Sequence, residues 1–189
     1  MSINIRLEEP SDIQSIHKVT VAAFFDAPHT DHTEQLIVKA LRDSGALTIS
    51  LVAENSAQIV GHVALSPVTI SNDSNDSNDS NDSNDSNDSN DSNDSNGWYG
   101  LGPISVIPCE QGKGIGSKLM NAALAELKNL KANGCVLLGD PNYYHRFGFE
   151  PRGGLVLPDV PPEYFQALLL QGAHPKGTVT YHESFSAQG

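Results

Sequence analysis

The chain is poor in cysteine, in positive charge and in long apolar runs, and each shortage removes a class of protein. Two cysteines in 189 residues, Cys109 and Cys135, cannot form the disulfide framework of a small secreted domain. Eleven lysines and arginines, spread without a cluster, leave no electrostatic footprint for nucleic acid. Apolar stretches such as residues 167–170 fall far short of the roughly 20 residues a membrane-crossing helix needs. The opening residues, MSINIRLEEP, have neither the basic start nor the apolar core of a secretory signal. The expected location is the cytoplasm, with no membrane and no nucleic acid as partner.

One tripeptide is present in excess. Residues 71–96 read Ser-Asn-Asp eight times and then Ser-Asn, so 26 positions hold no apolar residue. They distort the whole composition. Without them the 38% hydrophobic content rises to about 44%, near the globular norm. Eight of the 23 acidic residues also belong to the repeat, so the remaining body carries 15 acids against 11 bases, −4 rather than −12. The body is therefore an ordinary domain with enough chain to bury a core. The repeat cannot offset its own ordering entropy and is expected to be a disordered insertion in a surface loop. It spells eight glycosylation acceptors from Asn72 to Asn93, which mean nothing without a secretory route. Its carboxylates lack the glycine turn and the closing Glu of an EF-hand loop. The expected organisation is one domain over 1–189 with 71–96 inserted between two strands.

Hydrophobic spacing gives the order of elements. Residues 3–7 alternate as a strand. Ser11 and Gln14 fit a capping box ahead of Ile13, Ile16, Val19 and Ala23 at helical spacing. A second helix is predicted from Thr33 to Ser44, with Gly45 as its stop. Leu47–Glu54 and Gln58–Ile70 read as a hairpin around residues 55–57. Trp98–Ile107 reads as a strand broken by Gly100 and Gly102. Gly114–Asn133 reads as a long helix striped by Leu119, Met120, Ala123, Leu124 and Leu127 and ended by Gly134. Cys135–Leu138 follows as a short strand, which completes a βαβ unit. That crossover places the two cysteines too far apart for a disulfide. Short helices are expected at 143–147 and 162–171, and a closing strand at 178–185.

Between the strand ending at Ile107 and the long helix lies Gln111-Gly112-Lys113-Gly114-Ile115-Gly116-Ser117. Glycines permit positive φ and close approach of backbone to ligand, and the loop delivers its N–H groups into a helix start. That arrangement suits a phosphate or pyrophosphate. The spacing is neither that of the P-loop nor that of the dinucleotide fingerprint. A glycine-rich turn without a ligand is the plainer reading of the loop taken alone.

The surrounding residues decide between the two. Pro108 precedes Gln111 by three, and Gln111, Gly114 and Gly116 then follow the motif-A pattern Gln/Arg-x-x-Gly-x-Gly/Ala of the GNAT-type N-acetyltransferases. Downstream, Tyr144-His-Arg-Phe-Gly148-Phe149 resembles the family's Tyr-x-x-x-Gly-Phe motif. The segment from Leu138 to Phe149 resembles a bacterial subgroup of these enzymes, and the element order fits throughout the body. The resemblance implies an α+β fold with a central mixed, mostly antiparallel sheet flanked by helices and one βαβ crossover. It implies acetyl-CoA as co-substrate and an amine of a small molecule or peptide as acceptor. Backbone groups of Ile104, Ser105 and Val106 would pair with the pantetheine arm. Gln111, Gly112, Lys113, Gly114, Ile115, Gly116 and Ser117 would hold the pyrophosphate, and Tyr144 would protonate the departing thiolate. Tyr143 is expected to point elsewhere, as packing. Many members carry a cofactor-contacting Asn about seven residues before the motif Tyr. Here that position is Leu137, so the role is not transferred to Asn142.

No spacing singles out a general base among Glu34, His32, His62 and Glu110. His29-x-x-His32 has no third partner to make a metal site. Two alternatives to an enzyme stay open at the level of sequence: a non-catalytic acyl-CoA sensor, and an interaction module driven by the repeat. A monomer and a homodimer are equally compatible with the sequence.

Overall fold

The first strand, β1 (Asn4–Leu7), leads into a turn that Pro10 opens, and the first helix begins only after that turn. This computed structural model describes residues 2–28, 30–71 and 97–188. Residues 72–96, with the expected disorder and the eight acceptors, lie outside the described residues, as does His29. Ser11 and Gln14 do not form the predicted box. Pro10–Asp12 is a 3-10 turn, and the Asp12 carboxylate accepts from the Glu9 N–H at 2.8 Å and from Arg6 at 2.6 Å. A carboxylate with two donors outcompetes an exposed serine hydroxyl, so α1 (Ile13–Phe24) starts later. Helix α2 (Glu34–Asp43) ends as the glycine signal predicts. Gly45 takes φ +75°, its N–H bonds the Arg42 carbonyl at 3.1 Å, and the Ala46 N–H bonds Leu41 at 3.0 Å.

The apolar hairpin follows as β2 (Ile49–Asn55) and β3 (Gln58–Pro67), with the short β4 (Thr69–Ser71) after it. Strand β5 (Trp98–Val106) pairs antiparallel with β3. Helix α3 (Ile115–Asn129) crosses to β6 (Gly134–Leu138), which lies parallel to β5. This is the expected βαβ unit. Helix α4 (Pro141–Tyr144) continues as a 3-10 turn over His145–Phe147. The chain closes with β7 (Glu150–Pro151), β8 (Leu155–Val156), β9 (Phe165–Leu169) and β10 (Gly177–Thr180).

Seven strands form one mixed sheet in the order β1-β2-β3-β5-β6-β9-β7. Helix α3 covers one face, where Leu119, Met120, Ala123 and Leu127 meet Leu51, Val63, Leu65 and Leu137. Helices α1 and α2 cover the other, with Ile16 and Val38 over Val52 and Ala64. Cys109 is exposed, Cys135 is buried, and both are free.

Three sequence expectations fail here. Residues 162–171 are not a helix. Phe165–Leu169 is a strand between β6 and β7, and Phe165, Gln166 and Ala167 are all buried. A strand covered on both faces loses its alternation and reads like a helix segment. Gly134 does not end α3. Lys131 ends it, in the left-handed region at φ +56°. Gly134 belongs to β6, and it is glycine because the Trp98 indole fills the place of its Cβ. The closing strand is also shorter than expected. β10 leaves the main sheet and joins β4 and β8 in a three-stranded sheet, and Glu183–Ser186 forms a 3-10 turn. Strands β3 and β5 still pair as neighbours, while β4 peels away from the main sheet.

Candidate cofactor and active site

The site begins where β5 stops pairing with β6. Their ladder holds three pairs, Trp98 with Gly134, Tyr99 with Cys135 and Gly100 with Val136. Beyond Gly100, β5 pairs only with β3, and beyond Val136, β6 pairs only with β9. A bulge explains the separation. Val63 opposes Ile104 and Leu65 opposes Leu101, so β5 spends two residues, Gly102 and Pro103, where β3 spends one. Bulges bend the strand that carries them. The result is a gap between two parallel strands, one wall of which is the backbone of residues 104–106. Ser105 turns its side chain the other way, 3.5 Å from the Thr20 hydroxyl on α1, while Ile104 and Val106 pack towards α3.

The glycine loop lies at the far end of β5. The Gln111 amide donates to the Val106 carbonyl at 2.9 Å and ties loop to strand. Gly112 and Gly114 take φ +74° and +81°, where a side chain is strained, and Gly114 is the N-cap of α3. The first helical bond runs from the Lys118 N–H to the Gly114 carbonyl at 3.1 Å. The N–H groups of Ile115, Gly116 and Ser117 therefore precede the helical ladder and sit at its positive end. They border a cavity of about 400 Å³ lined by Val106, residues 110–112, residues 114–117, Tyr143 and Arg146. Lys113 does not line it. Its ammonium lies 3.2 Å from the Glu110 carboxylate.

Tyr143, expected to point elsewhere as packing, faces the cavity instead. Tyr143 is a wall of the cavity, and its hydroxyl stands 2.8 Å from where a Cβ on Gly116 would be. A side chain on Gly116 would therefore push the Tyr143 hydroxyl aside. Tyr144 sits edge-on to Tyr143 at 4.9 Å and to Phe149 at 6.4 Å, over Gly139 at the end of β6. Burial, reinforced by Tyr143 and Asp140, pushes its pKa up to about 12. Arg146 was not legible in the sequence, because its motif marks only the Tyr, Gly and Phe. Leu137 is buried in the core, and Asn142 bonds the Asp140 carboxylate at 2.9 Å.

Of the four candidate bases, Glu110 lines this cavity and the other three lie away from it. His62 is fully buried on the α1/α2 face, its Nε2 2.8 Å from the Ser50 hydroxyl. Burial lowers its pKa to about 4, with Glu8 and Arg42 as opposing smaller influences. Glu110 is engaged with Lys113, Glu34 accepts from the Thr30 hydroxyl, and His32 is exposed in the loop before α2. Among the described residues no group of three or more His, Cys, Asp or Glu could hold a metal. No described helix is long and apolar enough to cross a membrane.

An open strand edge leading to a glycine loop at a helix start is an arrangement that suits a long phosphorylated ligand. Comparison with known proteins gives the particular family. The sequence profile of the acetyltransferase (GNAT) domain matches residues 47–151. A GNAT family acetyltransferase from Brucella melitensis, crystallised with acetyl-CoA, is 42% identical with a TM-score of 0.77, over 97% of this chain and 98% of that one. The Escherichia coli N-acetyltransferase YhbS, crystallised with CoA, is 29% identical with a TM-score of 0.79, over 99% and 93%. Its sequence aligns at 30% identity over 147 residues, 77% of this chain and 72% of that protein, whose function is uncharacterized. The chain belongs to the GNAT family of N-acetyltransferases.

Proposed function

We propose that the gap between β5 and β6, the glycine loop and Tyr144 form one acetyl-transfer site, with the amine of a small molecule or peptide as acceptor. As a family member the chain is an acetyl-CoA-dependent N-acetyltransferase. The thioester of acetyl-CoA supplies the activated acetyl group. The observation that carries the reading is the loss of β5–β6 pairing after Gly100, which leaves strand backbone free beside the anion loop.

Each residue then has a task. The backbone of Ile104, Ser105 and Val106 receives the pantetheine arm as a strand would be received. The loop from Gln111 to Ser117 offers N–H groups to the pyrophosphate. Tyr144, with its pKa raised by burial, stays protonated at neutral pH and donates towards the sulfur as the amide forms. The acceptor amine must be neutral to attack. His62 is buried and closed to substrate, so the amine's proton passes to another base or into water. The active unit is one domain over 1–189, monomeric or homodimeric and cytoplasmic, with the repeat at 71–96 as an insertion in the sequence between two strands.

The test is CoA release from acetyl-CoA against a panel of amines and peptides, with calorimetry of CoA binding beside it. Release with at least one amine is expected. Gly114→Val, which places a branched side chain at φ +81°, should weaken CoA binding at least tenfold. Absence of CoA binding at millimolar ligand overturns the reading.

A further inference from the structure

We propose that Arg146, held from behind by Tyr143, is the cation that neutralises the pyrophosphate in the anion cavity, and that Lys113 is not. The inference rests on the acetyl-CoA reading above and assigns a binding residue within that site.

Charge on the cavity wall is the first argument. Among the described residues that line it, Glu110 and Arg146 are the charged ones. Lys113, the cation the loop sequence suggests, is 3.2 Å from Glu110 and off the wall. Without Arg146 the charged lining would be a single carboxylate, which repels a pyrophosphate. Backbone N–H groups and a helix end supply only partial charge, on the order of half an elementary charge. A doubly anionic ligand needs a full cation there.

The second argument is how Arg146 is held. Its Nε donates to the Tyr143 carbonyl at 2.9 Å, and its guanidinium carbon lies 4.6 Å from the centroid of the Tyr143 ring. These two contacts fix the plane of the guanidinium and use one of its five N–H donors. Neither terminal nitrogen donates to a described residue, so the fork that matches a phosphate geometrically remains available. Tyr143 in turn abuts Gly116 in the helix start, so the arginine, the ring that holds it and the loop residues 114–117 line one cavity. The same ring meets Tyr144 edge-on at 4.9 Å. One turn of chain thus carries the phosphate cation and the proton donor.

The experiment measures CoA and dephospho-CoA affinity by calorimetry for the wild type, Arg146→Ala, Arg146→Lys and Lys113→Ala. Arg146→Ala should weaken both ligands equally, by about 10- to 100-fold, the loss expected when a charged hydrogen bond is removed. Arg146→Lys should recover part of that loss through charge without the fork. Lys113→Ala should stay within about twofold. Arg146 is exposed, and an unliganded melting temperature near the wild-type value confirms that the variant is folded. Unchanged CoA affinity in Arg146→Ala overturns the inference. A loss for CoA without a loss for dephospho-CoA overturns it too, since the partner would then be the 3′-phosphate. A wild type that binds neither ligand indicts the acetyl-CoA reading itself, which the variants leave untouched.

Discussion

Two polar centres of the described residues, on opposite faces of the sheet, satisfy their groups in opposite ways. On the α1/α2 face, Arg42 donates twice to Glu8, at 2.9 and 2.8 Å, and the Ser50 hydroxyl donates to Glu8 at 2.5 Å. Because that hydroxyl proton is committed to a carboxylate, His62 must donate to Ser50 from Nε2, leaving Nδ1 as a bare, buried lone pair. On the α3 face, the loop N–H groups, the free edge of β5 and the terminal nitrogens of Arg146 look outward. A centre that spends its hydrogen bonds internally holds the fold; one that keeps them in reserve is ready for a ligand. Histidine, the residue type most readily suspected of chemistry, belongs here to the first kind.

The largest expected effect breaks the sealed centre with acid. His62 titrates at 6.5 when unfolded and at about 4 in the fold. The unfolded chain therefore takes up the proton first, and stability should be full above pH 6.5 and fall as pH drops towards 4, by about 3 kcal/mol in total. Glu8 adds to the loss below pH 4.5. Its burial raises its pKa, but the hydrogen bonds from Arg42 and Ser50 outweigh that and set it below the ordinary value. Urea midpoints at stepped pH read this slope, and His62→Gln should flatten it between pH 6.5 and 4. An equal slope in the variant would mean the acid sensitivity lies elsewhere.

The open centre should respond in rate and leave stability alone. Tyr144→Phe is expected to lower turnover about 100-fold while CoA affinity stays within a few-fold. Unchanged turnover, where chemistry limits the rate, would remove Tyr144 from the reaction.

A smaller effect tests whether the repeat belongs to either centre. Replacing 71–96 with a four-residue turn should leave activity within about twofold and raise stability by about 1–2 kcal/mol, from loop closure. Lost acetyl transfer in a normally folded protein would make the repeat part of the site. The smallest effect lies outside both centres. Lys131→Gly relieves a left-handed side chain at φ +56° and should add about 0.5–1 kcal/mol, read as a shift in urea midpoint.

What was legible in the sequence follows from the range of the interactions. Helix α3 and its glycine loop were readable because stripe, cap and turn are all local, and so was the βαβ crossover. Strand β9 was not, since only the free edge of β6 makes Phe165–Leu169 extended. Gly134 misled because its cause, Trp98, lies 36 residues earlier in the chain. Within the site, the strand at 104–106 and the loop at 111–117 were singled out from the motif resemblance, because both lie within one local stretch of chain. Tyr143 and Arg146 were not, since their importance comes from a cavity that two distant segments build together.

The position of the insertion has a consequence for how this gene can change. The repeat joins the chain at Ser71 and Gly97, beside the start of β5, while the anion loop follows its end at Val106. Eight residue steps of strand, about 26 Å, lie between the two ends. Each Ser-Asn-Asp unit is three whole codons, so copying errors that add or drop units keep the reading frame and alter only the remote end of the strand. A change in copy number therefore acts on one end of β5 and leaves the sequence of the glycine loop at the other end as it is.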